Sequence, residues 1–397
     1  MLPLAKLRVL AVEQYGAGPF GTQFLSDLGA EVIKIENPND GGDMARSVGP
    51  VFLDGFEATQ SSGFFQALNR NKRSLTLDLT KPAGRTVFHD LVRSADAVAS
   101  NLRGDVPGRL GLTYDALATV NPRIVCGHLT AYGRDGPRAT WPGYDYLMQA
   151  ETGYFALNGA PDSAPSRFGL SIVDLMTGLG LAYATVAGVL DARATGKGRD
   201  LDVTLFDIAL FNLNYLASWY LNAGRDQGRE ARSAHPSLTP CQLYKTRDGW
   251  IYLMCNKEKF WPALCEKLGR PDLATDPRFL RFPDRYAQRP LLTQILDAAL
   301  SERTTAEWMT IFQGKVPAAP VLGFREALEN PFARERVEPL DHPDGGVAHM
   351  LRAPIRCSGE TYERRAGPSL GQDTDAILGA LGYTAERIAA LRADGVV

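Results

Sequence analysis

The chain has 397 residues, with 43 lysines and arginines against 45 aspartates and glutamates, and a formal net charge of −2 at pH 7. Its composition, 45% hydrophobic and 22% charged, is typical of folded globular proteins and excludes a disordered or collagen-like chain. The balanced charge excludes a general electrostatic attraction to nucleic acid or to an anionic membrane, so local groups must hold any anionic ligand.

The usage of cysteine and histidine argues against disulfide and metal sites. The five cysteines are scattered and contain no C-x-x-C pair, and the five histidines show no metal-ligand spacing. The N-terminal segment lacks the features of a signal peptide, and we read no apolar run as a membrane span of ~20 residues. We therefore expect a cytoplasmic protein with reduced thiols, no metal, and no nucleic-acid or membrane partner.

The first third of the chain alternates between strand and helix patterns. Residues 8–13 form a β-branched apolar run, residues 16–29 a turn and an amphipathic helix, and residues 31–36 a second strand. The alternation continues with predicted strands at 74–79, 97–100 and 124–130 and a predicted helix at 83–93. This order predicts a Rossmann-like α/β domain built from βαβ units.

The pattern changes in the middle of the chain. Residues 172–195 are apolar at helical spacing and contain several small residues, which predicts a closely packed helix that ends before Gly196. A strand is predicted at 200–204, and a charged, glycine-bearing connection at 222–233 precedes a second, smaller α+β domain. Its predicted strands are 241–245 and 250–255, and its predicted helices are 258–268, 290–301 and 304–313.

The turn after the first predicted strand carries a glycine motif with two interpretations. Gly16, Gly18 and Gly21 match G-x-G-x-x-G at the start of a helix, and Glu36 ends the next strand twenty positions after Gly16. This arrangement is typical of dinucleotide binding, in which the backbone approaches a pyrophosphate and the acid binds a ribose hydroxyl. The alternative is a tight βα turn that needs small residues for packing.

An acidic residue interrupts the apolar run at 172–195. Asp174 is flanked by Val173 and Leu175, where an unpaired carboxylate is costly to bury. Such a residue is either the N-cap of the helix or a functional group. Arginines follow several predicted strands, in positions suited to phosphate recognition, although each one alone is equally consistent with solvated surface. They include Arg46, Arg73, Arg109, Arg134 and Arg138.

Segments along nearly the whole chain resemble those of the family III CoA-transferases, also called the CaiB/BaiF family. The matching segments, in order, are AGPFGTQFLSDLGAEVIKIE at 17–36, NRNKRSLTLDL at 69–79, the 101–112 segment ending in GRLGL, NPRIVCGHLTAYGRDGP at 121–137, PGYD at 142–145, IVDLMTG at 172–178, TGKGRDLDVTLFD at 195–207, AHPSLTP at 234–240, VPAAPV at 316–321 and LGQDTD at 370–375. This many ordered matches outweigh a single glycine motif.

The resemblance implies a covalent mechanism with Asp174 as the nucleophile. The carboxylate would attack an acyl-CoA and later carry CoA as an aspartyl thioester, with a small carboxylic acid as acceptor. It implies coenzyme A as a substrate and no permanently bound cofactor. It also implies an interlocked homodimer. Residues 1–220 would form the first part of the large, CoA-binding domain, residues 221–325 the linker and the small domain, and residues 326–397 the return linker and the C-terminal part of the large domain.

The resemblance further implies residues that contact CoA: Gly16, Ala17, Leu77, Thr80, Asn101, Leu102, Arg109, Tyr144 and Asp145. Relatives often carry a basic residue after the second strand, where this chain has Asn37 and Pro38, and this departure moves the expected phosphate contact to Arg46 or Arg73. We expect an arginine, Arg134 or Arg138, to meet the distal carboxylate of a dicarboxylic substrate. We place His235 in a loop that corresponds to a lid in relatives, whose glycines this chain lacks.

Three other functions compete with CoA transfer. An α-methylacyl-CoA racemase of the same family has a histidine base in a GHD segment, where this chain has Tyr144, and a phenol is a poor proton acceptor near neutrality. An NAD-binding oxidoreductase would use the glycine motif. A non-catalytic CoA-binding protein would not need Asp174. We favour transfer of CoA from an acyl-CoA, with succinyl-CoA or another dicarboxylyl-CoA as the candidate donor, to a carboxylic acid.

Overall fold

The computed structural model describes residues 1–57, 61–342, 345–360 and 363–397. These residues form two compact units. The first contains Met1–Thr152, Gly169–Asn214 and Glu335–Val397, and the second contains Gly153–Phe168 and Tyr215–Arg334.

The boundaries of the units differ from those predicted at 220/221 and 325/326. Residues 153–168 belong to the second unit, and the next boundary falls at Asn214. Asn214 has a left-handed backbone φ of 49°. It begins the helix Asn214–Ala223, shortly after the helix Leu205–Phe211 ends. The chain therefore leaves the first unit at this break between helices, and not within the charged segment at 222–233.

Strands and helices alternate in the first part of the chain, and runs of consecutive helices follow in the later part. The strands are β1 (Arg8–Val12), β2 (Glu31–Glu36), β3 (Arg73–Thr76), β4 (Ala97–Ser100), β5 (Val125–Thr130), β6 (Arg199–Thr204), β7 (Cys241–Lys245), β8 (Trp250–Met254), β9 (Ala318–Pro320), β10 (Val337–Asp341) and β11 (Val347–Leu351). The helices are α1 (Ala17–Asp27), α2 (Gly63–Asn69), α3 (Pro82–Val92), α4 (Val106–Leu110), α5 (Tyr114–Leu117), α6 (Asp145–Glu151), α7 (Tyr154–Leu157), α8 (Ile172–Thr195), α9 (Leu205–Phe211), α10 (Asn214–Ala223), α11 (Phe260–Lys267), α12 (Asp272–Thr275), α13 (Phe282–Ala287), α14 (Arg289–Leu300), α15 (Thr305–Phe312), α16 (Phe324–Glu329), α17 (Pro331–Arg334), α18 (Thr374–Ala380) and α19 (Ala385–Ala393). Short 3-10 turns occupy Pro38–Asp40, Met44–Ser47, Ala231–Ser233 and Pro277–Phe279.

A parallel sheet forms the centre of the first unit. Among the described residues its strand order is β3-β2-β1-β4-β5-β6, and every neighbouring pair is parallel. Strands β1, β2, β4 and β5 are almost entirely buried, as expected where a sheet is covered on both faces. This architecture confirms the predicted α/β fold class. The order reverses between β1 and β4, and this is where an open α/β sheet leaves a crevice at the carboxyl ends of its strands.

Helices α1 and α8 pack closely against each other. A Cβ atom built on Gly21 of α1 would lie 2.3 Å from the carbonyl oxygen of Gly178 in α8, so neither position has room for a side chain. Close contact of this kind needs glycine at the crossing point. The last glycine of the G-x-G-x-x-G motif therefore serves helix packing in this structure.

Helix α8 is, by length and composition alone, long and apolar enough to cross a membrane, with a mean hydropathy of 1.6 within the described part of the chain. In the structure it packs against α1, β5 and β6. Val173, Leu181 and Val189 are among its buried side chains. These side chains form the packed face of the helix, whereas Tyr183 and Leu190 on α8 are exposed in the single chain.

The second unit has an antiparallel sheet, β7-β8-β9, and a core of its own. Its buried residues include Tyr244, Leu253, Trp261, Leu296 and Phe312. The predicted strands and helices of this region agree with β7, β8, α11, α14 and α15 to within about two residues. Strand β9 was not predicted, because three residues with two alanines and a proline show no strand pattern.

Candidate active site

The N-terminus of α8 is held by a carboxylate from another helix. Oδ2 of Asp145, the first residue of α6, accepts the backbone N–H groups of Val173 at 2.7 Å and of Asp174 at 3.0 Å. Gln149 donates to Oδ1 of the same carboxylate at 2.6 Å. Asp145 thus satisfies N–H groups that a helix leaves unpaired at its start. Asp174 lies inside the first turn of α8, so it is not the N-cap that one sequence interpretation allowed.

The carboxylate of Asp174 is half-buried and faces a cleft. Within the described part of the chain, no hydrogen bond or ion pair reaches its oxygens. Burial, and then the negative charge of Asp145, raise the pKa of Asp174 to about 7. Its Oδ2 lies against Gly16, where an added Cβ would be 2.8 Å away. The site therefore keeps a basic carboxylate free of partners and close to the main chain of the β1–α1 turn.

The cleft has a volume of about 550 Å³ and opens where the strand order reverses. Its lining comes mainly from the segments that follow β1, β4 and β5. The described lining residues are Gln14, Tyr15, Gly16, Ala17, Met44, Asn101, Leu102, Arg103, Val106, Leu129, Thr130, Ala131, Trp141, Pro142, Gly143, Tyr144, Asp174 and Leu205. Ligands of open α/β sheets bind at this position, and the volume suits a small ligand or part of a larger one.

Six residues of the predicted site meet in the cleft. They are Gly16, Ala17, Asn101, Leu102, Tyr144 and Asp174. The Asn101 side chain also ties the ends of β1 and β4 together, because it donates to the carbonyl of Gln14 at 2.7 Å and accepts the Gln14 N–H at 2.8 Å. Asp145 is buried directly behind Asp174, where it caps α8 and does not line the cleft.

Arg46 is not available as a phosphate ligand. Its guanidinium is buried and binds both carboxylate oxygens of Glu36, at 2.7 and 2.8 Å, and it lies 3.9 Å from the centre of the Phe65 ring. Ser74 donates to the same carboxylate at 2.6 Å. The dinucleotide interpretation required Glu36 to bind a ribose hydroxyl. Glu36 is buried and both of its carboxylate oxygens are bonded, so it is not free to do so.

Three further predicted contacts lie outside the cleft lining. Leu77 is buried in the core of the first unit. Thr80 is exposed, and both its N–H and its hydroxyl donate to Asp78. Arg109 is exposed on α4 and pairs with Asp105 at 3.3 Å. Of the alternative phosphate ligands, Arg73 pairs with Glu31 and Asp373.

The residues predicted to meet the substrate acid or to form a lid are held by their neighbours. Arg138 lies over the rings of Tyr132 and Trp141, at 5.3 and 4.8 Å, and forms an ion pair with Glu151. Trp141 lines the cleft, whereas Arg138 does not.

His235 belongs to the second unit. Its Nδ1 accepts the N–H groups of Ser237 and Leu238, each at 3.1 Å, so it closes a local turn. Burial, and then the positive charge of Arg289, lower the pKa of His235.

The sequence interpretation missed Arg103, which is the one basic side chain among the described residues that line the cleft. It is bonded to Asp105, with Nη2 3.0 Å from Oδ2, and is nearly half exposed. Arg103 lies two residues after Asn101, just beyond the end of β4, and this position could have indicated a contact with the substrate. We had expected Arg109 to make that contact instead. The described residues contain no cluster of three or more histidine, cysteine, aspartate or glutamate side chains that could hold a metal ion.

Comparisons with known proteins identify the family of the chain. The family model "CoA-transferase family III" matches residues 4–374. An acetyl-CoA:oxalate CoA-transferase of Acetobacter aceti is 36% identical over 94% of this chain and 95% of the relative. A succinate–glutarate CoA-transferase of Agrobacterium fabrum is 34% identical over 98% of this chain and 97% of the relative.

A solved structure extends the agreement to the fold. The crystal structure of a CaiB/BaiF family protein from Brucella suis has a TM-score of 0.81 and 33% identity, over 96% of this chain and 99% of that one. The resemblance inferred from the sequence motifs is confirmed. The chain belongs to family III of the CoA-transferases, the CaiB/BaiF family, and is an enzyme that transfers CoA.

Proposed function

We propose that Asp174 is the covalent nucleophile of the transfer. The observation that carries this proposal is its carboxylate, which is unpaired within the described residues, faces the cleft and has a pKa raised to about 7. A more basic carboxylate is a stronger nucleophile, and at pH 7 about half of the molecules remain ionised.

The first half-reaction moves CoA onto the enzyme. The Asp174 carboxylate attacks the acyl carbonyl, the carbon–sulfur bond breaks, and CoA thiolate leaves behind a mixed anhydride. The thiolate then attacks the Asp174 side-chain carbonyl and expels the donor acid as its carboxylate. The product is a thioester between Asp174 and CoA.

The second half-reaction repeats these steps in reverse order. The acceptor carboxylate attacks the Asp174 thioester, which releases CoA thiolate and forms a second anhydride. The thiolate then attacks the acceptor carbonyl, so the new acyl-CoA forms and the Asp174 carboxylate is regenerated. No net proton or electron is consumed.

We infer that the cleft residues contact CoA or the acyl group, with Gly16, Ala17, Asn101, Leu102 and Tyr144 as its walls. Arg103 is the cation we assign to an anionic part of the substrate, in exchange for Asp105. We still propose that Thr80 and Arg109 contact CoA, because both side chains are exposed. We no longer propose a CoA contact for Arg46 or Leu77, because both are buried, and we propose that Asp145 positions α8.

We propose a dicarboxylic acid as one partner in the exchange, with succinyl-CoA or another dicarboxylyl-CoA as the donor. The relative from A. aceti is named for acetyl-CoA and oxalate, and that from A. fabrum for succinate and glutarate, so each name includes at least one dicarboxylate. Racemase chemistry is less well supported, because no histidine is found among the described residues of the cleft lining. Tyr144 lines the cleft in place of the histidine that a racemase uses.

We further propose a cytoplasmic, interlocked homodimer. Large apolar side chains on α8 and α9 are exposed in the single chain, with Tyr183 79%, Leu190 64% and Phe211 80% exposed. Exposed apolar surface of this kind is typical of an interface. Cys126, which is free and buried, is consistent with a reducing compartment.

The first prediction concerns the nucleophile. Asp174→Asn and Asp174→Ala should fold, bind CoA, and lose transfer by at least a thousandfold, about 4 kcal/mol in the barrier. The wild-type protein, incubated with acyl-CoA, should gain the mass of a CoA thioester on Asp174 that hydroxylamine removes.

The matched control is Asp191→Asn on the same helix, which removes a surface ion pair with Arg199 and should keep activity within about twofold. An Asp174→Ala enzyme with more than a tenth of the wild-type rate contradicts the mechanism.

The second prediction is the pH dependence of transfer. Protonated Asp174 cannot attack, so kcat should fall about tenfold per pH unit below pH 7. Asp145 is the charged group that faces Asp174 among the described residues, and Gly16 on the opposite side is uncharged. Asp145→Asn removes the charge but keeps an oxygen that accepts the α8 N–H groups. It should therefore lower the pKa of Asp174 and move the acid limb of the pH profile of kcat to lower pH. Titration of kcat in both proteins checks this, and an unmoved limb argues against the electrostatic role.

The third prediction concerns stability. The pKa of Asp174 is about 7 in the folded chain and about 4 when unfolded, so the folded protein binds more protons between these values. Its free energy of unfolding therefore falls as the pH rises through this window. The difference between these two pKa values corresponds to about 4 kcal/mol, and burial of the Asn amide offsets part of it. Asp174→Asn should therefore be about 2 kcal/mol more stable than wild type at pH 8, with a smaller difference at pH 5. Urea denaturation at the two pH values measures this, and a less stable variant at pH 8 contradicts it.

The fourth prediction tests the assembly. An interlocked dimer separates only if a chain unfolds, so dilution to nanomolar concentration should leave it intact. Sedimentation velocity with a fluorescent label measures this, and a monomer at low micromolar concentration contradicts the proposal.

A further inference from the structure

A cluster of charged side chains is fully buried beneath the turn that joins β1 to α1. Nζ of Lys34, on β2, lies 2.8 Å from Oδ2 of Asp43, and Nζ of Lys72 lies 2.8 Å from Oε1 of Glu13. All four side chains have zero exposure. The proposed mechanism does not use them. Buried ion pairs often add little stability compared with apolar packing, so their presence needs another explanation.

The cluster binds the main chain of the turn. Lys34 donates to the carbonyl of Glu13 at 3.1 Å. Oδ1 of Asp43 accepts the N–H of Tyr15 at 2.8 Å and that of Ala45 at 2.8 Å. Lys72 donates to the carbonyl of Pro19 at 2.9 Å. Apolar side chains of the same volume could not make these bonds, which fix the turn at both of its ends.

The turn is strained at one residue and touches the nucleophile at the next. Tyr15 has a left-handed φ of 67°, which a residue with a side chain adopts only when its surroundings enforce it. The bond from the Tyr15 N–H to Asp43 lies at this point. Gly16 follows, and a Cβ there would be 2.8 Å from Oδ2 of Asp174. A small shift of the turn would therefore change the surroundings of the Asp174 carboxylate.

We propose that Asp43, held by Lys34, is a positioning residue for catalysis: it fixes Tyr15 and Gly16 against the Asp174 carboxylate. This inference rests on the proposed role of Asp174 as the nucleophile. Asp43 is buried and does not line the cleft, so it touches neither the substrate nor the reacting atoms. It acts through the main chain, and its effect falls on the rate at which Asp174 reacts.

The test compares two substitutions that each break a buried ion pair at one end of α1. Asp43→Asn leaves one acceptor oxygen to serve both Lys34 and the N–H groups of Tyr15 and Ala45, and Lys34 then keeps the Glu13 carboxylate, 3.8 Å away, as its ion-pair partner. The matched control, Asp27→Asn, breaks the pair with Arg70, 2.6 Å apart, at the far end of α1. The measured quantity is the single-turnover rate at which the Asp174–CoA thioester forms at saturating acyl-CoA, followed by mass spectrometry, together with the melting temperature of each protein.

Both variants should lose a similar amount of thermal stability. Asp43→Asn should form the thioester at least tenfold more slowly than wild type, whereas Asp27→Asn should stay within twofold. An Asp43→Asn rate within twofold of wild type, or an equal slowing in Asp27→Asn, overturns the proposal. If Asp43→Asn does not fold, Asp43→Glu keeps the charge and moves the carboxylate by one methylene, and the same thresholds apply.

The same experiment separates this inference from the proposed function. If wild type forms the thioester on Asp174 and Asp43→Asn forms it equally fast, the positioning role fails while the nucleophile stands. If wild type forms no thioester on Asp174, the nucleophile fails, and the positioning role fails with it.

Discussion

Two carboxylates share the N-terminal end of α8, and the backbone N–H groups there bind only one of them. Asp145 accepts the N–H groups of Val173 and Asp174, so these donors do not stabilise the charge of the Asp174 side chain. Burial and the nearby charge of Asp145 therefore raise the pKa of Asp174, and no hydrogen bond to its carboxylate within the described residues lowers it again. The folded chain thereby keeps a carboxylate whose charge is less stabilised than that of a carboxylate bound by the helix. The chemistry proposed for the cleft depends on this division of roles.

The strand order explains why this carboxylate faces a cleft. The crossovers after β1 and β4 run in opposite directions along the sheet, so the segments that leave these neighbouring strands separate and open a crevice. Asn101 bonds to Gln14 across its base, and Gly16 allows the carboxylate to approach from α8. Gly16 directly precedes α1, and Asp174 belongs to α8. The close packing of α1 on α8 therefore fixes the distance between Gly16 and the Asp174 carboxylate.

Local patterns predicted much of the fold. The bounds of α8 and β2 agree with the expected 172–195 and 31–36, since the apolar run is continuous and Gly196 ends the helix with a left-handed backbone. The ribbon of β10 and β11 was not predicted, because its residues alternate without a clear apolar face. Six of the residues that line the cleft were predicted from family motifs. The roles of Arg46 and Asp145 could not be predicted from the sequence, because they depend on the partners that these side chains contact in three dimensions.

The glycine motif shows why the same local pattern supports different functions. A dinucleotide site and this cleft both need a strand, a tight turn and a helix, and both need glycine where another group approaches the backbone. What distinguishes them is the group that approaches. Here Asp174 meets Gly16 and the main chain of α8 meets Gly21, while the acid at the end of β2 is bound to Arg46. With its acid bound to Arg46, the turn lacks the free carboxylate that would bind the ribose of a dinucleotide, and its first glycine instead accommodates the Asp174 carboxylate of a distant helix.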